Sequence, residues 1–218
     1  MRSVLDQPTR LFLLSPANLA GARGRQILGG TAQTPLAKEL RDGGSVPLGA
    51  VYATISSLYF RGKLEYARRF GRRSEGPAVL AITPNRGLLS ADHSVDMEQL
   101  AGLAQTRIDP DEASYARPLG ATARALRRDL APGADVVLLG SIATGKYLDP
   151  LVDVFGLSLL FPRDFIGRGD MSRGGLLLRA VDAGEELDYV VAVGSVRRGP
   201  RPERLAPVDR PGSDAAGW

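Results

Sequence analysis

Residues 135–147 read Asp-Val-Val-Leu-Leu-Gly-Ser-Ile-Ala-Thr-Gly-Lys-Tyr, an apolar run that passes through a Gly-Ser turn into a helical stretch. Pro132-Gly133 precedes it and nothing polar interrupts 136–139, so the run reads as the strongest strand of the chain. The stretch 143–154 reads as the helix that follows. A buried strand feeding a helix through a short polar turn is the repeating unit of α/β folds.

The same alternation extends to both sides. Strand patterns fall at 11–14, 78–83, 157–161 and 187–193, and helical patterns at 35–41, 47–73, 96–103, 118–130 and 174–183. Gly62 is the expected break within 47–73. The spacing predicts an α/β fold, a single domain over 11–196 with a largely parallel or mixed central sheet flanked by helices. Residues 1–10 read as an N-terminal arm, and the Arg/Pro-rich stretch 197–218 as a disordered tail. Sites in such sheets gather at the carboxyl ends of strands. Here those ends carry Ser15, Asn85-Arg86, Gly140-Ser141 and Arg163-Asp164.

Composition narrows the chemistry. The 218 residues carry a formal charge of +4, with 28 Lys and Arg against 24 Asp and Glu. A basic balance favours nucleic acid or a phosphorylated small molecule as partner, although an Arg-rich, GC-rich coding bias gives the same balance. There is no cysteine and a single histidine, His93. Disulfides, thiol catalysis and Cys-based zinc sites are excluded, and neither a metal site nor a cofactor is expected. No apolar stretch approaches the roughly 20 residues of a membrane span, and 11–14 is too short for a signal-peptide core. A cytoplasmic protein with no membrane contact is expected.

Four constellations are candidates for function. Gly140 to Lys146 matches the G-x-x-x-x-G-K of a phosphate-binding loop, but Tyr147 stands where Ser or Thr would hold Mg²⁺. ATP chemistry is therefore not expected; Ser141, Thr144 and Lys146 remain as polar groups for a pocket, the rival reading being a strand–turn–helix junction with Ser141 or Thr144 as helix cap. Second, residues 167–175 read Gly-Arg-Gly-Asp-Met-Ser-Arg-Gly-Gly, with Arg168, Ser172 and Arg173 as anion ligands in a glycine-rich loop. The rival reading is a tight turn with solvated arginines. Third, Arg61, Arg68 and Arg72 recur at i, i+7 and i+11 with Lys63, Arg69 and Arg73 nearby, a basic face for a phosphate backbone or simply for solvent. Tyr59, Tyr66 and Phe70 offer aromatic surface. Fourth, Asp92 beside His93 is a candidate acid–base pair, and Asp170 a third candidate catalytic group.

Five collinear segments resemble the YaaA peroxide-stress family and related small α/β proteins of unknown function. Leu13-Leu14-Ser15-Pro16-Ala17-Asn18 is similar to the family's opening ISPAK segment, and Ile82 to Asp92 to its LSGLYGLLRPLD segment. Leu58-Tyr59-Phe60-Arg61-Gly62, Val137 to Ser141 with Tyr147-Leu148, and Met171 to Leu176 resemble further segments in the same order. Position 18 is Asn where the family has Lys, and position 86 is Arg where it has Tyr. The resemblance implies a YaaA-like α/β fold, a cytoplasmic setting and DNA binding linked to oxidative stress; it carries over no catalytic residue.

Two functions are expected to compete. One is nucleic-acid binding in a stress response or defence, through Arg61, Lys63, Arg68, Arg69, Arg72 and Arg73. The other is an enzyme of glycosylase or transferase type acting on a nucleoside, nucleotide or base. There Arg168 and Arg173 hold a phosphate, Ser15, Asn85 and Ser141 bind base or ribose, and Asp170 or Asp92 moves protons. The enzyme reading requires Ser15, Asn85, Arg86, Ser141 and Arg173 to converge on one concave surface.

Overall fold

The computed structural model describes residues 8–203 and 205. The first strand, β1 (Arg10–Leu14), is central because Leu11 to Leu14 leave it no polar face. It is followed by α1 (Ala22–Leu28), α2 (Pro35–Arg41), β2 (Val46–Pro47), α3 (Leu48–Ile55) and α4 (Tyr59–Phe70). Next come β3 (Val79–Thr83), β4 (Gly87–Ser90), β5 (Ser94–Val95), α5 (Met97–Ala104) and α6 (Ala113–Asp129). The remainder is β6 (Asp135–Leu139), α7 (Leu148–Phe155), β7 (Leu159–Pro162), α8 (Asp170–Ala183) and β8 (Tyr189–Val191). The main sheet runs β4-β3-β1-β6-β7-β8, and β2 pairs with β5 apart from it. The inner strands β3, β1, β6 and β7 are parallel, and the edges β4 and β8 are antiparallel. The α/β single domain with a mixed, mostly parallel sheet is as the alternation predicts.

Alternation along β1 divides the core. Phe12 and Leu14 face a layer that includes α3, α4 and α8, while Leu11 and Leu13 face α6 and α7. The helices lie on opposite faces because the chain adds strands in opposite directions from β1. It first moves outward to β3, then returns to place β6 on the other side of β1. Right-handed crossovers in opposite directions put their helices on opposite faces. The chain therefore parts between β1 and β6, the switch point where doubly wound sheets leave a crevice.

Several boundaries differ from the sequence reading. The break in 47–73 falls between α3 and α4, at 56–58, and not at Gly62. Gly62 lies inside α4 because it is the point where α8 crosses: a Cβ there would stand 2.8 Å from the Gly174 carbonyl oxygen. The glycine-rich stretch 170–175 is correspondingly the first part of α8, not an open loop. Gly174 is needed for helix–helix contact rather than for an anion. α6 begins five residues before the predicted helix start at 118 and contains Pro118 within it. Asp96, expected as the first residue of the helical stretch 96–103, instead caps α5 through a reciprocal bond with Gln99.

Arg10 ties together the amino-terminal ends of the strands β1 and β6. It bonds Asp135 at 2.7 Å and Glu186 at 2.6 Å, and Glu186 also meets Arg72 at 3.3 Å. Removing Arg10 leaves two half-buried carboxylates short of a partner. Arg10→Met is expected to cost about 1–3 kcal/mol in urea denaturation, and Glu186→Gln less, since Arg10 keeps Asp135.

The predicted arm and tail lie largely outside the described residues, at 1–7, 204 and 206–218. The start of the predicted tail, 197–203, is placed. Arg197 pairs with Asp149 at 2.5 Å, and the Glu203 carbonyl accepts from Arg168 at 3.3 Å. No helix among the described residues is long and apolar enough to cross a membrane.

Candidate functional site at the β1/β6 switch point

A crevice of about 600 Å³ opens where β1 and β6 end. Ser15, the first residue beyond β1, donates its backbone N–H to Leu139 at 3.1 Å, holding the two strand ends together. Lys63 reaches this point from α4. Its ammonium donates to the Ser15 carbonyl at 2.6 Å and to Ser15 Oγ at 2.9 Å. Lys63 is 1% exposed and lies 4.4 Å from the centre of the Tyr59 ring. Burial pulls its pKa down to about 7, with Asp170 resisting the shift and Arg173 adding to it. Among the described residues no carboxylate forms an ion pair with it.

The rim comes from three loops. The β1–α1 loop supplies Asn18 and the helix start supplies Arg23, which bonds Ser57 Oγ at 3.1 Å across the opening. The β6–α7 loop supplies Ser141, Lys146 and Tyr147, and Tyr115 fastens it by donating to the Lys146 carbonyl at 3.0 Å. The start of α8 supplies Asp170 and Met171. The N-termini of α7 and α8 thus both border the crevice, adding positive potential to that of Lys63, Lys146 and Arg23. Two hydroxyls stay protonated here. Burial pushes Tyr147 up to about 12, and it raises Tyr59 further still against the pull of Arg173. Tyr59 Oη is buried without a hydrogen-bond partner among the described residues.

Of the residues expected at a site, Ser15, Ser141, Lys146 and Asp170 meet in this crevice. Arg173 lies behind it, buried, with Nη2 donating to the Phe165 carbonyl at 2.8 Å and Nη1 3.5 Å from Asp170. Its guanidinium fixes the turn before α8 instead of pointing into the cleft. Arg168 and Ser172 bond each other at 3.3 Å beside the 197–203 segment, and Thr144 is exposed outside the lining. Asn85 and Arg86 line a separate depression against α5, because Asn85 donates to the Gly102 carbonyl at 2.8 Å. Asp92 and His93 are exposed near β5, with Asp92 paired to Arg68. The predicted convergence therefore holds for Ser15 and Ser141 and fails for Asn85, Arg86 and Arg173.

The basic face is also redrawn. α4 ends at Phe70, so Arg72 and Arg73 leave the helical register. Arg72 exchanges backbone bonds with Arg10, and Arg73 donates to the Pro77 carbonyl. Arg61, Arg68 and Arg69 remain exposed, the first two beside Glu65 and Asp92. Tyr59, Tyr66 and Phe70 are buried and offer no outer aromatic surface. Lys63 is the residue whose role the sequence reading misplaced. It stands four residues after Tyr59 and three before Tyr66, on the apolar face, and that spacing was its signal. Arg23 went unnoticed as a site residue because it belongs to no motif, and Tyr59 is buried at the crevice instead of forming the outer aromatic surface expected of it.

Fold and crevice together define a doubly wound α/β domain with a ligand-sized opening at its switch point. No family model, curated protein or solved structure matches the chain, so the likeness to the YaaA family rests on the quoted segments alone.

Proposed function

We propose that the crevice at the β1 and β6 ends binds a phosphorylated small molecule of nucleotide size through Lys63, Lys146 and Arg23. This is a different set from the five residues whose convergence the enzyme reading required, which do not all meet. Lys63 is the observation that carries this reading. Burying an ammonium costs several kcal/mol unless a counter-charge meets it, and among the described residues no carboxylate stands within ion-pair distance of this one, Asp170 offsetting only part of the burial. A ligand anion supplies the missing charge. Lys146 and Arg23 add cationic reach at the rim, and a volume of about 600 Å³ suits a mononucleotide. Asp170, the one acidic side chain in the lining, is placed to accept from a ligand hydroxyl or to carry a proton.

The test is a thermal-shift panel of nucleoside mono- and diphosphates, sugar phosphates and pyrophosphate. Ligand at about a hundred times its Kd is expected to raise Tm by roughly 5–10 °C. The shift is expected to vanish in Lys146→Ala and persist in Arg69→Ala. If no compound in the panel moves Tm, the reading is wrong.

Arg61, Arg68 and Arg69, exposed within two turns of α4, favour a second reading. It is nucleic-acid binding in a stress response or defence, as the YaaA resemblance implies. Exposed ion pairs are weak enough for phosphates to displace. On this reading a gel shift with duplex DNA strengthens at low salt and is lost in Arg68→Glu, while Lys146→Ala keeps it.

A further inference from the structure

We propose that Ser15 is a nucleophile and Lys63 the base that takes its proton, so that the crevice hydrolyses an ester or amide whose anionic group is held at the rim by Lys146 and Arg23, away from Lys63. The inference rests on the crevice being a ligand site, as proposed above, but not on the ligand carrying phosphate. Ser15 Oγ and Lys63 Nζ are 2.9 Å apart, within reach for proton transfer, and both residues line the crevice. The amine is oriented by the same residue it serves. One N–H is spent on the Ser15 carbonyl at 2.6 Å. In the neutral amine this leaves the lone pair for the hydroxyl proton.

Three further features suit this chemistry. Burial keeps the amine largely unprotonated just above neutral pH, where a base for a serine hydroxyl is useful. Gly140 lets the end of β6 pack close against Ser15 and hold its side chain in place: a Cβ there would stand 2.9 Å from Ser15 Cβ and 3.2 Å from Oγ. Tyr59 lines the crevice and packs against Lys63, and its buried hydroxyl stays protonated beside Arg173.

The step balances without a co-reactant other than water. The Ser15 proton passes to Lys63 as Oγ bonds the carbonyl carbon and the carbonyl electron pair moves to oxygen. Collapse breaks the bond to the leaving group, which departs with the proton from Lys63. Water then attacks the acyl-serine, gives a proton to Lys63, and the acid leaves as Ser15 regains its hydrogen.

A fluorophosphonate probe tests the pair directly. Ser15 Oγ bonds phosphorus, fluoride leaves, and the proton passes through Lys63 to solvent. Peptide mass spectrometry is expected to find the adduct on Ser15 and none in Ser15→Ala. Lys63→Met is expected to label at least ~100-fold more slowly. Ser195→Ala, whose hydroxyl bonds the Ala192 carbonyl outside the crevice, is expected to label as the wild type does. The wild-type rate is expected to climb through about pH 7 and level off. An unlabelled Ser15, equal rates in Lys63→Met, or a flat profile from pH 6 to 9 overturns the proposal. The pH profile decides should Lys63→Met not fold. Labelling without any nucleotide shift keeps the serine–lysine pair and removes the phosphorylated ligand; a nucleotide shift without labelling does the reverse.

Discussion

Gly174→Val is expected to lower stability by roughly 3 kcal/mol. Gly174 faces α4 where α8 crosses it. A Cβ there would stand 2.9 Å from the Leu58 carbonyl oxygen and 2.9 Å from Tyr59 Cα. Both are backbone atoms and neither can rotate away, so the helices must part. The separation would also pull Tyr59 and Lys63 from the crevice floor, because α4 carries both. Gly102→Ala in α5 is the contrast. Among the described residues nothing lies within 4 Å of a Cβ built there, and replacing a helical glycine at this point is expected to add about 0.5–1 kcal/mol. Urea denaturation of the two variants should give opposite signs.

Lys63→Met is expected to keep or raise stability at pH 7 while abolishing ligand-induced stabilisation. Methionine fills a similar volume without a charge to desolvate, and replacing a buried ion by an apolar isostere is often neutral or favourable. The pH dependence identifies the cause. Burial takes the Lys63 pKa from 10.5 down to about 7, so between those values the unfolded chain binds more protons than the folded one. Stability then rises with pH: the penalty is full below about 7 and is relieved as pH approaches 10.5. Relative to Lys63→Met, the wild type should gain up to ~1.4 kcal/mol per pH unit in that window. Anion binding runs the other way. A bound anion favours protonated Lys63, so its affinity should fall as pH rises above 7. Isothermal titration in buffers of different ionisation enthalpy would detect the accompanying proton uptake. Parallel stability curves for the two proteins from pH 7 to 9 would rule out a depressed lysine.

Much of the site was legible residue by residue. Ser15 and Ser141 follow apolar runs, so their place at strand ends needed only the strand patterns. Lys146 was found through an incomplete phosphate-loop match, of whose polar groups Ser141 and Lys146 border the crevice and Thr144 does not. Arg173 shows the limit of such reading. A glycine–arginine cluster looks alike whether its glycines free the backbone or admit a second helix, and only the crossing with α4 distinguishes the two. Asn85 misled for a related reason. It follows β3, next to β1, yet its amide turns away to bond Gly102 and Thr106 near the end of α5.

The sequence by itself determined the layers: apolar runs too uniform for a half-exposed sheet require helices on both faces, and their alternation requires crossovers. Tertiary structure alone decided which strand ends meet. The return of the chain from β3 to β6, across β1, sets Ser15 beside Gly140 and brings Lys63 beneath them from a helix about fifty residues away. Local periodicity could place Lys63 on the buried face of α4. It could not say what that face touches, because burial is a property of one element and a site is a property of the contacts among several.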